Sequence, residues 1–196
     1  MNVSNAAFPV VSVIMPAFNS ERHIAESIAS VQAQTLSSWE LLIVDDCSTD
    51  NTSEIVGKLS ESDSRIRLIS QSENGGAAVA RNTALENVCG RYVAYLDADD
   101  LWLPEKLEKQ IDCMDRENAG FSCASYEVID EEGSLLGRTV HMPSKTSYWG
   151  YLTNNYLQTV GIMADLEKVE KKAACHAEYE KATRCRNVAS GFGCWT

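Results

Sequence analysis

Three carboxylates that follow an apolar run are the residues best suited to chemistry in this sequence. The apolar stretch 92–96 leads directly into Asp97, Asp99 and Asp100. Such a run predicts a strand buried on both faces, and open α/β sheets bind ligands at the carboxyl ends of their parallel strands. Clustered carboxylates repel one another unless a cation or hydrogen-bond donors offset their charge. The Asp-x-Asp spacing therefore predicts a divalent-metal site, and the alternative is an acidic turn that caps a helix starting near Pro104.

Strands alternate with helices along the chain and must position these carboxylates. Strands are predicted at about 10–15, 39–44, 66–70, 92–96, 121–129, 135–140 and 160–164, and helices at about 21–34, 51–62, 77–87, 104–117 and 148–156. The strand at 39–44 also ends in acids, Asp45 and Asp46. This alternation predicts right-handed βαβ units and a mostly parallel sheet.

Composition and charge argue against several classes of protein. The chain has 196 residues, of which 44% are hydrophobic, enough for one globular domain or the larger part of a bigger one. A net charge of −11 argues against a nucleic-acid partner. No apolar run approaches the length of a membrane span, and the N-terminus lacks the pattern of a signal peptide. The seven scattered cysteines favour reduced thiols in a cytoplasm over disulfides or zinc.

Five motifs in series resemble family 2 glycosyltransferases of the GT-A fold. In order, they are 11–19 (VSVIMPAFN), 30–35 (SVQAQT), 44–50 (VDDCSTD), 74–76 with 80–82 (NGG, ARN), and 96–100 with 102–107 (LDADD, WLPEKL). The resemblance implies one α/β domain of GT-A type over residues 10–169, Rossmann-like, with a mostly parallel central sheet and flanking helices. Residues 1–9 would be a leader and 170–196 an atypical tail, and the domain would be incomplete on its C-terminal side.

The resemblance also implies how a nucleotide would be bound. Pro16, Ala17 and Phe18 are expected to line its pocket through main chain and an aromatic face. Asp46 is expected to accept a hydrogen bond from the uracil ring N–H, because a carboxylate can only accept. For Asp45, an Asx turn or helix cap is an equally weighted alternative.

Four further residues acquire roles from the same resemblance. Arg81 should face the diphosphate or nearby carboxylates, the alternative being an exposed surface ion pair. Asp97 should lie near the ribose or the metal. Asp99 should ligate Mn²⁺ or Mg²⁺, hard cations that favour carboxylate and phosphate oxygen. Asp100 should support that metal shell or cap the next helix.

The reaction implied is sugar transfer from a nucleotide diphosphate sugar, UDP-sugar favoured, to an acceptor hydroxyl with inversion. A lipid-linked saccharide of surface polysaccharide biosynthesis is the expected acceptor, which implies a cytoplasmic protein, peripheral at the inner face of the membrane.

Family members usually carry the general base in a Glu-Asp or Gln-Asp pair after the last core strand. We do not find that pair, since Asp165 follows its strand directly and is predicted to be a helix cap. The catalytic base is therefore unknown, and a catalytically inactive nucleotide-sugar-binding remnant is the alternative function. A nucleotidyltransferase is a weaker alternative, because the loop at 16–20 is neither Gly-rich nor basic.

From about Glu170 the sequence no longer resembles the family. The stretch shows no clear helical or strand period and contains three of the seven cysteines. One hypothesis is a divergent or disordered tail. The other is a frameshift, because residues 174–189 admit codons that spell PAMPNMRKRQDAGMW one base later, with the family's Gln-Asp pair. Under this hypothesis the fold core ends near Val169 and the tail packs poorly.

Overall fold

A computed structural model describes residues 8–142 and 159–169, and the backbone of 186–195. Its strands are β1 (Val11–Ala17), β2 (Trp39–Asp45), β3 (Ile66–Ser70), β4 (Tyr92–Tyr95), β5 (Leu101–Trp102), β6 (Phe121–Ile129), β7 (Leu135–Val140), β8 (Ile162–Asp165) and β9 (Arg186–Trp195). Its helices are α1 (Ile24–Gln32), α2 (Thr52–Ser62), α3 (Gly76–Glu86) and α4 (Lys106–Arg116), and a 3₁₀ turn covers Thr159–Gly161. No helix in the described ranges is long and apolar enough to cross a membrane. The helix predicted at 148–156 lies outside the described residues.

The described strands form one mixed sheet in the order β3-β2-β1-β4-β8-β6-β9-β5, with β7 paired to β6. Strands β1 to β4 are parallel, and β1 lies between β2 and β4. The other half is largely antiparallel, because β8 runs against both β4 and β6, and β9 runs against β6. The α/β class with flanking helices is thus confirmed, and the parallel arrangement is concentrated in the half that begins the chain.

Burial on both faces explains why the parallel strands have continuous apolar sequences. Every residue of β1, β2 and β4 is buried. Helix α3 contacts β1 and β2, and α2 contacts β3. Because these strands are parallel, their carboxyl ends meet at one edge of the sheet, and the polar clusters that follow them are brought together there.

The sequence predicts that the first strand ends before Pro16, but in the structure this strand continues past it. Strand β1 continues through Pro16, aligned with Val44, to Ala17. The Ile14 carbonyl accepts a hydrogen bond from the N–H of Leu96, just after β4, so the backbone polar groups of Ile14 face β4. Pro16 lies two positions further along the strand, so its nitrogen faces the same neighbouring strand. Strand β4 ends at Tyr95, so the N–H that proline lacks falls where no ladder partner is needed.

Two features of the rest of the chain were not expected from its sequence. Residues 170–196 show no clear strand period, but Arg186–Trp195 form β9, whose backbone aligns with β6 from Phe121 to Ile129. That pairing satisfies an edge of β6 and depends on residues far away in sequence, which local periodicity does not reveal. Among the described cysteines, three are free thiols as expected, whereas Cys113 is disulfide-bonded.

Candidate functional site

A cleft of about 710 Å³ opens at the carboxyl ends of the parallel strands. Its walls come from the loop after β1, the end of β2, helix α3, the segment after β4 and the β6–β7 hairpin. It is lined by all seven residues that the sequence predicted to bind nucleotide or metal, namely Pro16, Ala17, Phe18, Asp46, Arg81, Asp97 and Asp99. The structure therefore gathers residues more than eighty positions apart into one site.

Asn19 fixes the loop that presents Phe18 to the cleft. Its φ of +48° is a left-handed conformation that asparagine tolerates better than most residues. The Asn19 N–H donates to Ser48 Oγ (2.9 Å), and the Thr49 N–H donates to Asn19 Oδ1 (2.8 Å). These bonds join the loops after β1 and β2, and they leave the Phe18 ring half exposed on the cleft wall.

Asp46 is buried and holds the N-terminus of α3 against the end of β2. Its Oδ1 accepts from the Gly75 N–H (2.8 Å) and its Oδ2 from the Gly76 N–H (2.7 Å). Gly76 has φ +81°, a conformation that a side chain would strain. Each carboxylate oxygen retains a second acceptor lone pair. Asp46 can thus organise this loop and still accept a hydrogen bond from a ligand in the cleft.

Asp45 has the local structural role that was its alternative. Its Oδ1 accepts from the Ser48 N–H (3.2 Å), and its Oδ2 accepts from Ser53 Oγ on helix α2. Only 4% of Asp45 is exposed, and it is not among the residues lining the cleft. Asp45 therefore stabilises the loop between β2 and α2 through these hydrogen bonds.

Arg81 on α3 forms an ion pair with Asp97 inside the cleft. Arg81 Nη2 lies 2.6 Å from Asp97 Oδ1, and the Arg81 side chain is 17% exposed. The alternative of an exposed surface pair was therefore wrong. Arg81 Nε is buried and has no hydrogen-bond partner among the described residues. A buried guanidinium N–H without a partner favours an anionic ligand at this position.

Asp99 and Asp100 point to different environments after β4. Asp99 is exposed and lines the cleft, whereas Asp100 is 4% exposed and is absent from the lining. The Asp100 N–H donates to the Asp97 carbonyl (3.1 Å), so the acidic segment is also a tight turn. Among the described residues, no group of three or more His, Cys, Asp or Glu side chains could hold a metal ion by itself.

The mouth of the cleft contains residues that the motifs did not reveal. Arg22, after β1, forms an ion pair with Glu131 in the β6–β7 turn, and Leu136 of β7 lines the same wall. Asp130 shapes that turn, because its Oδ1 accepts from the N–H groups of Glu132 and Ser134. The turn itself was predicted, but the ion pair joins residues 109 positions apart and has no local sequence signal.

Comparison with known proteins gives these residues a family context. The sequence matches Glycosyl transferase family 2 over residues 12–166. It is 42% identical over 160 residues to the putative teichuronic acid biosynthesis glycosyltransferase TuaG of Bacillus subtilis, covering 82% of this chain and 64% of that protein. It is 46% identical over 153 residues to the UDP-Glc:alpha-D-GlcNAc-diphosphoundecaprenol beta-1,3-glucosyltransferase WfgD of Escherichia coli, covering 78% of this chain and 57% of that protein. The chain thus spans about three fifths of the length of these relatives.

Solved structures also share the fold, and two of them contain a nucleotide sugar. S. aureus TarS 1–349 in complex with UDP-GlcNAc superposes with a TM-score of 0.53 at 33% identity, covering 57% of this chain and 32% of TarS 1–349. The mannosyltransferase PcManGT from Pyrobaculum calidifontis, in complex with GDP-Man and Mn²⁺, superposes with a TM-score of 0.54 at 30% identity, covering 59% of this chain and 35% of PcManGT.

Proposed function

The chain belongs to glycosyltransferase family 2 and has the GT-A fold, and from this premise we propose that it transfers a sugar from a nucleotide diphosphate sugar to an acceptor hydroxyl in surface polysaccharide biosynthesis. The observation that carries the proposal is that all seven motif residues line one and the same cleft, at the carboxyl ends of parallel strands. The names of TuaG and WfgD support the polysaccharide context.

A UDP-sugar is the donor that we propose. WfgD is named for UDP-Glc, and TarS has been solved with UDP-GlcNAc. In this chain, Asp46 would accept from the imide N–H of uracil through its remaining lone pairs, and Phe18 would offer an aromatic face beside it. Pro16 and Ala17 would complete the wall through main chain. Arg81 would bind the diphosphate, with Asp97 holding the guanidinium in place.

The carboxylates of the cleft fit a divalent metal that binds together with the diphosphate. The structure of PcManGT contains Mn²⁺ together with GDP-Man, so a protein of the same fold binds a divalent ion in the presence of a nucleotide sugar. Mg²⁺ and Mn²⁺ favour oxygen ligands, and Mg²⁺ is usually bound by one or two carboxylates plus substrate phosphates. This agrees with a site that has no cluster of three ligating side chains among the described residues. We propose Asp99 as the protein ligand for Mn²⁺ or Mg²⁺, which would neutralise charge on the departing diphosphate.

A lipid-linked saccharide is the proposed acceptor. WfgD is named for a diphosphoundecaprenol-linked acceptor, which resides in a membrane. We therefore propose a cytoplasmic protein that works peripherally at the inner face of the membrane. Its net charge of −11 argues against a nucleic-acid partner.

The general base is unassigned, which keeps a second function open. Inversion requires a base to take the acceptor proton, and the sequence lacks the Glu-Asp or Gln-Asp pair that usually supplies it. The absence of this pair from the sequence favours the second function, in which the protein binds a nucleotide sugar but does not transfer the sugar.

We propose a domain over residues 10–169, a leader over 1–9 and a tail over 170–196. The codons of 174–189 decide whether that tail is a frameshift product, since they must spell the Gln-Asp stretch one base later.

A panel of nucleotide sugars tests the proposal. The melting temperature of the chain is measured with UDP-glucose, UDP-GlcNAc and GDP-mannose in the presence of Mn²⁺, and release of UDP is then followed with a polyprenyl diphosphate-linked saccharide. A shift with a UDP-sugar plus acceptor-dependent release establishes the transferase, because ligand binding to the native state raises its stability. A shift without release identifies the binding remnant, and no shift with any sugar nucleotide refutes both.

A further inference from the structure

The ion pair at the mouth of the cleft points to a second anion site, besides the one at Arg81. We infer that Arg22 binds the diphosphate of a polyprenyl diphosphate-linked acceptor, and that Glu131 is the counter-ion which this diphosphate displaces. The inference rests on the proposed function, because only an acceptor of this class brings a second diphosphate to the cleft.

The position of the pair favours exchange with a ligand. Arg22 precedes α1 and Glu131 lies in the β6–β7 turn, so their contact joins two walls of one cleft. The two side chains are 62% and 64% exposed. Exposed ion pairs contribute little to stability, so a ligand that separates this pair loses little. A diphosphate offers more charge and more acceptor oxygens than one carboxylate, and the planar guanidinium can bind it through two parallel N–H groups.

The two arginines of the cleft differ in a way that fits two anions. Arg81 lies deep, is 17% exposed and is fixed by Asp97 at 2.6 Å. Arg22 lies at the mouth and is exposed. Among the described residues that line the cleft, these are the arginines, and no lysine accompanies them. In a chain of net charge −11, a second diphosphate needs such a local cation, and Arg22 supplies it.

The hairpin beside Arg22 also suits the lipid part of this acceptor. Leu135 and Leu136 begin β7 directly after the turn and are 63% and 57% exposed. Leu136 lines the cleft on the same wall as Glu131. For a polyprenyl chain attached to a diphosphate at Arg22, these exposed leucines offer apolar surface on the hairpin that carries Glu131. One hairpin therefore offers both an exchangeable charge and an apolar surface.

Farnesyl diphosphate is the probe that tests this site. Its binding is measured by calorimetry with UDP and Mn²⁺ saturating, so that the donor site is occupied, on the wild type, Arg22→Gln, Glu131→Gln and Lys58→Gln. Lys58 is the matched control, since its exposed pair with Glu54 lies on α2. We expect Arg22→Gln to weaken farnesyl diphosphate roughly tenfold or more, the effect of losing a charge-assisted contact. Glu131→Gln should strengthen it, and Lys58→Gln should leave it unchanged.

Titration of UDP alone separates this inference from the proposed function. Wild type, Arg22→Gln and Glu131→Gln should bind UDP with similar affinity, because the inference assigns the diphosphate of the donor to Arg81 and that of the acceptor to Arg22. A loss of UDP affinity in Arg22→Gln as large as its loss of farnesyl diphosphate affinity overturns the inference. If wild type fails to bind UDP, the proposed function fails, and the farnesyl diphosphate series in buffer still decides on Arg22. Equal binding of farnesyl diphosphate by wild type and Arg22→Gln overturns the inference. Equal binding of farnesol and farnesyl diphosphate, or no binding of farnesyl diphosphate to wild type, also overturns it.

Discussion

Arg81 Nη2 donates to Asp97 Oδ1 over 2.6 Å, which ties helix α3 to the acidic segment that follows β4. The pair is partly buried, and Arg81 Nε has no partner among the described residues. Asp97 therefore fixes the plane of the guanidinium and leaves other N–H groups for an anion. This pair therefore positions positive charge deep in the cleft, next to the carboxylates that line it.

Replacing Arg81 by lysine should weaken UDP binding although the charge is retained. Lysine offers a point charge on a flexible stem, so it loses the planar fork that Asp97 orients. We expect the dissociation constant for UDP to rise roughly tenfold. Calorimetric titration measures it, with the exposed Arg116→Lys as control. Unchanged affinity in Arg81→Lys would show that the guanidinium does not contact the nucleotide.

Asp99→Ala should abolish the effect of metal on UDP binding and leave the fold intact. Asp99 is exposed at the cleft, so its removal creates no cavity, and one fewer carboxylate reduces repulsion in the acidic segment. The apo melting temperature should therefore stay the same or rise. UDP is titrated with and without Mn²⁺ on both proteins. If Mn²⁺ strengthens UDP binding equally in wild type and mutant, Asp99 is not a metal ligand.

Asp46→Asn should reduce both stability and uridine binding. Each carboxylate oxygen accepts a hydrogen bond from a backbone N–H group, one from Gly75 and one from Gly76. An amide in its place would direct its NH₂ group at one of these N–H donors, which would then have no acceptor. A cost of about 1–3 kcal/mol in unfolding free energy follows from one unsatisfied buried group. Urea unfolding measures that cost, and UDP and GDP titrations measure the ligand effect. An equal loss for UDP and GDP would show that Asp46 supports the loop without reading the base.

Lys106→Met should stabilise the protein most at neutral and lower pH. Lys106 is 1% exposed, its Nζ lies 3.8 Å from the Trp102 ring centroid, and it has no hydrogen-bond partner among the described residues. Burial lowers the pKa of its ammonium to about 7, from 10.5. Between these values the unfolded chain binds the proton and the folded chain does not, so the contribution of Lys106 to stability rises with pH. Below pH 7 the charged form is buried at full cost.

We therefore expect Lys106→Met to gain about 1–4 kcal/mol in unfolding free energy near pH 6.5, and this gain should shrink toward pH 10. Urea unfolding across that range measures it. Lys109→Met is the control on the same helix, because its exposed lysine is paired with Glu105. A gain that does not change with pH would contradict a buried ammonium at Lys106.

The parallel half of the fold and the location of the cleft were predictable from local sequence. The apolar runs of β1, β2 and β4 show the burial of both faces, and their acidic ends mark the edge where a ligand binds. The family motifs identified the seven lining residues because each motif follows a strand or begins a helix at that edge. Their chemical roles remain predictions.

Features that depend on distant partners were not predictable. The conformation of Asn19 is fixed by Ser48 and Thr49 on another loop, and the ion pair of Arg22 depends on a turn 109 positions away. Strand β9 was not predicted because its sequence shows no clear helical or alternating pattern. Its pairing with β6, which defines the strand, involves residues far away in the sequence. In each case the interaction that decides the structure is absent from the neighbouring sequence.

Titration of the wild-type chain with UDP, in the presence and absence of Mn²⁺, tests the central claim most directly. A cleft with Asp99 as a metal ligand and Arg81 as a diphosphate ligand should bind one UDP per chain, and Mn²⁺ should increase the affinity. The same titration with GDP should give weaker binding, since Asp46 and Phe18 are proposed to select uracil. Absence of UDP binding with Mn²⁺ present would contradict the assignment of this cleft as a nucleotide-sugar site.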